Sequence, residues 1–113
     1  MCTENQLEKV LSEVKLQVEN LLSDKLKSIV LFGSYARGDY DDESDIDIMV
    51  LADIEDDEVN SYTRNLYKMV SHIGLENDVV LSLCLVPDER FNRFKDILPF
   101  YRNVDREGVK LAV

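Results

Sequence analysis

Leu7, Val10, Leu11, Val14, Val18, Leu21 and Leu22 recur at intervals of three and four. That is the period of a helix with one apolar face, predicted over residues 3 to 22, and Thr3 with Gln6 has capping-box spacing. The period then shortens. Ser28 to Phe32, SIVLF, is an apolar run rich in β-branched residues, bounded by Lys27 and Gly33, and predicts a buried strand. Asp45 to Leu51, DIDIMVL, predicts a second. Helical spacing returns from Asp56 or Asp57 to His72 through Val59, Tyr62, Leu66, Met69, Val70 and Ile73, with Gly74 expected as the C-cap. A third strand is predicted over Asp78 to Val86, ended by Pro87. A short helix from near Asp88 carries Phe91, Phe94, Ile97 and Leu98; Pro99 interrupts it, and beyond Gly108 comes the apolar tail VKLAV.

About a dozen residues join the first two strands, too few for a parallel crossover helix with its loops, so an antiparallel or irregular connection is expected. The expected fold class is α+β, a mixed central sheet flanked by helices. A chain of 113 residues is expected to form one domain with a single core.

Charge narrows the partners. Thirteen basic against 23 acidic residues give a net charge of −10, which repels a phosphate backbone, so nucleic acid is a poor partner. No apolar run approaches the roughly 18 to 20 residues of a membrane span, and the N-terminus lacks the basic and apolar regions of a secretory signal. A cytoplasmic location is expected, with no membrane contact. Cys2 and Cys84 have no metal or redox spacing, and Cys84 reads as a small packed hydrophobe.

The acids are concentrated. Asp39, Asp41, Asp42, Glu43 and Asp45 fall within seven residues, and Asp47 sits inside an otherwise buried strand. An ionised carboxylate taken out of water costs several kcal/mol unless a positive group meets it. Side chains alternate along a strand, so Asp45 and Asp47 share a face about 7 Å apart while Ile46, Ile48 and Val50 point the other way. Such an oxygen-rich pair suits a hard cation such as Mg²⁺, which keeps water and substrate phosphate oxygens as its remaining ligands. Upstream, Gly33-Ser34 ends the first strand. A glycine there lets the backbone approach an anion, and the serine adds a donor, a plausible phosphate cradle beside the carboxylate pair if the two strands are neighbours. The other acids of the stretch read as a solvated loop; Arg37 reads equally as a phosphate ligand or as a screen for those acids.

Gly33-Ser34, ten residues, then Asp45-Ile46-Asp47 resemble the GS-x10-D-x-D motif of the DNA polymerase β-like nucleotidyltransferases. Arg37-Gly38, Ser44 and the ending LPFYRNVDREGVKL make the chain similar specifically to the minimal nucleotidyltransferases, over nearly its whole length. The resemblance implies a small polymerase β-like fold in which Gly33 and Ser34 hold the β- and γ-phosphates of ATP and Asp45 and Asp47 bind two Mg²⁺ ions; Arg37 and Ser44 are the further candidate nucleotide-binding residues, Ser44 reading also as a local hydrogen-bonding group that orients the strand start at Asp45. The family's third carboxylate lies on a later strand; the match falls on Asp78, with Glu76 as the substitute, and Asn77 stands where an apolar residue is usual. The activity implied is transfer of AMP from ATP to a hydroxyl of a partner protein, by the antitoxin of a pair whose toxin is a HEPN-domain protein, in a homo- or hetero-oligomer. The alternatives are a vestigial antitoxin that acts by binding alone, and a small-molecule nucleotidyltransferase of the aminoglycoside type.

Overall fold

The computed structural model describes residues 4–112. Its elements are α1 (Glu4–Leu22), β1 (Leu26–Phe32), α2 (Ser34–Arg37), β2 (Ile46–Ala52), α3 (Val59–Asn77), β3 (Leu81–Pro87), α4 (Asp88–Phe94), α5 (Pro99–Glu107) and β4 (Val109–Ala112). The strands form one mixed sheet in the order β3-β2-β1-β4. β1 runs antiparallel to both β2 and β4, and β2 runs parallel to β3. The short β1–β2 connection therefore gives the antiparallel pair expected of it, and α3 supplies the longer crossover that a parallel neighbour needs.

The periodicity of α1 has a direct counterpart in packing: Val10, Val14, Val18 and Leu22, one helical turn apart, are its buried residues. With α3 they cover one face of the sheet, against Ile29 and Leu31 of β1 and Ile46, Ile48 and Val50 of β2. The opposite face buries Val30, Met49, Leu51 and Val86 beneath Phe91 of α4 and Val104 of α5. β2 is therefore covered on both sides, which accounts for its nearly unbroken apolar run. Each side chain buried in this way contributes roughly 1.5–3 kcal/mol. The cover on the second face thins toward one end, since along β3 it grades from buried Val86 through half-buried Cys84 to exposed Ser82.

Four expectations need correction. The second long helix does not stop at Gly74: it runs to Asn77, and Asp78 takes the left-handed cap position at φ 54°. Gly74 is glycine because the returning chain lies against it; a Cβ there would meet the Val79 carbonyl oxygen at 2.7 Å. The third strand consequently starts at Leu81 rather than Asp78, because a residue at positive φ cannot begin an extended strand. The tail after Gly108 is a fourth strand, hydrogen-bonded along the outer edge of β1. β1 itself begins at Leu26, two residues early, with an irregularity between Leu26 and Ser28. The proposed Thr3 cap lies outside the described residues, and Gln6 instead donates to the Asn77 carbonyl oxygen at 2.5 Å, tying the start of α1 to the end of α3. Asn77 is buried and satisfied, donating to the Ile73 carbonyl and to Glu13. An apolar residue could not make that tie.

Candidate functional site

The site is assembled where β1 ends and β2 begins. Antiparallel register sets Phe32 opposite Asp47, so the next residue, Gly33, turns directly over the Asp47 side chain. Gly33 has φ 73° and ψ −155°, a conformation essentially reserved for glycine. An added Cβ would stand 2.4 Å from Asp47 Oδ2 and 3.3 Å from its Cγ. No other residue allows both the turn and the close approach of that carboxylate. Ser34 opens α2, a single helical turn in which the Ala36 and Arg37 amides both donate to the Gly33 carbonyl oxygen at 3.1 Å. Gly38, at φ 83°, closes it. Tyr35, buried, stacks on Tyr40 with ring centroids 4.2 Å apart, which fixes the turn against the acidic loop that follows.

Asp45 lies just before β2 and is exposed, while Asp47 is half-buried within the strand. The Asp47 carboxyl is pushed above the usual carboxylate range, first by burial and then by the Asp45 charge, with Arg37 offsetting part of the effect. For Asp47, burial and the Asp45 charge together outweigh the opposing effect of Arg37. Arg37 is engaged elsewhere: its Nε donates to Asp39 Oδ2 at 3.1 Å and its Nη1 to Glu107 Oε2 at 3.5 Å. Two neighbouring carboxylates, Asp45 and Asp47, beside a glycine turn fit a hard divalent cation, which needs one or two protein carboxylates and completes its shell with water and phosphate oxygens. Among the described residues no three acids, histidines or cysteines are grouped closely enough to hold a metal by themselves.

The structure brings Gly33, Arg37, Asp45 and Asp47 together and leaves the remaining predicted residues at its edges. The Ser44 hydroxyl donates to Asp41 Oδ1 at 3.2 Å and accepts from the Asp41 amide at 3.0 Å, so it shapes the acidic loop leading into β2. Asp78, on its helix cap, lines a cavity of about 710 Å³ together with Asp45, but it does not join Asp47. Glu76 points away along α3 and contacts His72 at 2.9 Å. The residue that parallel pairing sets beside Asp47 on β3 is Ser82, exposed on the open end of the second face. Sequence reading passed over it because no acid marks the strand, and only the register reveals it. Cys84, two residues on, has its thiol pushed up to about 11 by burial and by the Asp47 charge, in keeping with a packed, unreactive side chain.

Known proteins share both the sequence and the fold. The nucleotidyltransferase domain family matches residues 8–108. An inferred protein adenylyltransferase of Methanocaldococcus jannaschii is 38% identical over 101 residues, spanning 89% of this chain and 93% of the relative. A second from the same organism is 37% identical over 73 residues, 65% of this chain and 72% of its own length. Among solved structures, an inferred minimal nucleotidyltransferase superposes with a TM-score of 0.60 at 22% identity, covering 96% of this chain and 95% of that one. A toxin–antitoxin structure with AMP-PNP gives 0.50 at 24% identity, covering 97% of this chain and 73% of that one.

Proposed function

This chain belongs to the nucleotidyltransferase domain family, and from that premise we propose that it transfers AMP from Mg²⁺-bound ATP to a hydroxyl of a partner protein. The observation that carries the reading is the contact of Gly33 with Asp47, which joins a phosphate-sized turn to a carboxylate pair in one small site. Gly33 and Ser34 hold the β- and γ-phosphates through backbone amides and the serine hydroxyl. Arg37 leaves Asp39 and Glu107 to meet a phosphate oxygen, a stronger partner for its fork. Asp45 and Asp47 hold Mg²⁺; when bound, the metal neutralises charge that develops on the phosphates and lowers the pKa of the attacking hydroxyl.

The transfer is a displacement at the α-phosphorus. The acceptor oxygen forms a bond to that phosphorus, and the bond from it to the bridging oxygen of pyrophosphate breaks. Pyrophosphate leaves with the electron pair, and the hydroxyl proton passes to a carboxylate of the Asp45–Asp47 pair. The names of the Methanocaldococcus relatives support a protein as acceptor. The partner class we propose is a HEPN-domain toxin, with this chain as its antitoxin in the cytoplasm, in line with the toxin–antitoxin neighbour of the same fold.

Incubating the chain with ATP, Mg²⁺ and the protein encoded beside it, followed by intact-mass and peptide spectrometry, tests this. One AMP per modified tyrosine, serine or threonine is expected, and Asp45→Asn or Asp47→Asn should abolish it. A partner fully neutralised yet unmodified, by wild type and Asp45→Asn alike, would replace the enzyme with a binding module.

A further inference from the structure

The sheet sets three side chains in one row across its second face: Phe32 of β1 opposite Asp47 of β2, and Ser82 of β3 on the far side of Asp47. Neighbouring strands lie about 4.8 Å apart and paired residues share a face, so Ser82 is the side chain that β3 offers to the Asp47 carboxylate. It is also the one exposed side chain of Leu81–Pro87, since Cys84 and Val86, next along the same face, pass under the cover of Phe91. Among the described residues nothing hydrogen-bonds its hydroxyl. No further acid reaches the pair: β3 carries none, Glu76 is turned to His72, and Asp78 shares a cavity with Asp45 but does not join Asp47.

Charge decides how many cations such a site holds. Asp45 and Asp47, when ionised, carry two negative charges, which one Mg²⁺ neutralises. In two-metal transfer sites the second ion stands roughly 3.5–4 Å from the first, and the repulsion between them must be met by further anionic oxygens. A carboxylate at position 82 would bring such oxygens. A serine hydroxyl can hold a metal-bound water but adds no charge. The phosphates of ATP remain as the source, and they are the usual complement of a Mg²⁺ held by one or two carboxylates. We infer that Ser82 occupies the third position of the metal site as a neutral group, and that it limits the nucleotide-free chain to one divalent cation at most, the second entering only with the triphosphate. The inference rests on the nucleotidyltransfer reading and adds to it that metal loading is coupled to nucleotide binding. Ser82 is thereby a positioning residue, acting on the cation through bound water.

Mn²⁺ serves as the probe, its free and bound forms counted by electron paramagnetic resonance on the full chain. Wild type should bind one ion at most without nucleotide and two with a non-hydrolysable ATP analogue. Ser82→Asp should bind two without nucleotide, the first at least tenfold more tightly than wild type does. Ser82→Asn, alike in size but uncharged, should keep the wild-type count. Leu16→Asp adds the same charge on α1, which covers the opposite face of the sheet, at a side chain 60% exposed; it should change nothing. Ser82 is exposed, so the fold should tolerate both substitutions, and the wild-type counts test the inference without them. Two ions on the nucleotide-free wild type, or one on its nucleotide complex, overturns it. So does a folded Ser82→Asp with wild-type count and affinity, or an equal gain in Ser82→Asn or Leu16→Asp. Failure of the wild-type chain to bind the analogue with Mn²⁺ would instead strike the nucleotidyltransfer reading beneath it.

Discussion

Alanine at Gly33 adds one methyl at the point where the turn and the carboxylate meet. The backbone there, φ 73° and ψ −155°, suits glycine alone, and forcing another residue into it costs about 1–3 kcal/mol. For a chain of this size each kcal/mol lowers the melting temperature by about 4 °C, so Gly33→Ala should melt about 4–12 °C below the parent. The methyl also evicts the acid. Asp47 Oδ2 must retreat by about 1 Å to regain ordinary van der Waals distance from the 2.4 Å position. A misplacement of that size costs roughly a hundredfold in rate. Gly38→Ala is the control: φ there is 83°, yet nothing lies within 4 Å of an added Cβ. It should lose about 1–2 kcal/mol from the left-handed backbone and keep its rate. Thermal melts and AMP transfer to the coexpressed partner, measured well below both melting points, separate the two effects. In an Asp47→Ala background the clash partner is gone, and Gly33→Ala should retain only the backbone penalty. If Gly33→Ala and Gly38→Ala transfer AMP equally well, the contact with Asp47 has no catalytic meaning.

Asp47 also predicts a pH dependence. Its carboxyl is raised in the folded state above the ordinary value of 3.8, by burial and by Asp45. The folded state therefore holds this proton more tightly, so the group's contribution to stability is full below 3.8 and is lost as pH rises through the folded value. Metal-free Asp47→Asn should gain stability relative to wild type across that window, then hold the advantage to neutral pH; denaturant midpoints moving the opposite way would refute it. Gly108→Ala isolates packing from chemistry. At a φ of −68° it carries no backbone strain, but its Cβ would meet Val30 Cγ1 at 2.3 Å and the Val104 carbonyl oxygen at 2.4 Å. Overpacking of this kind costs about 1–3 kcal/mol, so the melting point should fall while Mg·ATP affinity, read by calorimetry, does not change.

What the sequence disclosed depends on how local each cause is. The four-residue spacing of Val10, Val14 and Val18 and the alternation through Ile46, Asp47 and Ile48 are set by neighbours in the chain, and their elements were readable. The nearness of the Gly33 turn to the carboxylate pair was expected on the condition that the two strands are neighbours, and the antiparallel pair that sets Phe32 opposite Asp47 meets that condition. Gly74 was misread for the opposite reason: a glycine late in a helical pattern looks like a cap, and what requires it is the carbonyl of Val79, placed by the turn at Asp78. β4 has only four residues, too few to show a period, and its partner β1 is distant in sequence. The Arg37–Glu107 contact and the place of Ser82 beside Asp47 depend on the finished sheet, and no spacing along the chain announces them.

The placement of β4 has a consequence for how the protein is made. During synthesis from the N-terminus, β1 emerges early and gains β2 after a short delay, but its outer edge stays open until residues 109 to 112 leave the ribosome. Until then the nascent chain displays Val30 and Leu31 on a strand with one open edge, the kind of edge that recruits other strands. Closing it demands contact between segments about 80 residues apart, a slow step by its loop entropy. Residues 109 to 112 thus act as the latch of the fold, and the sheet is protected only once they have been made.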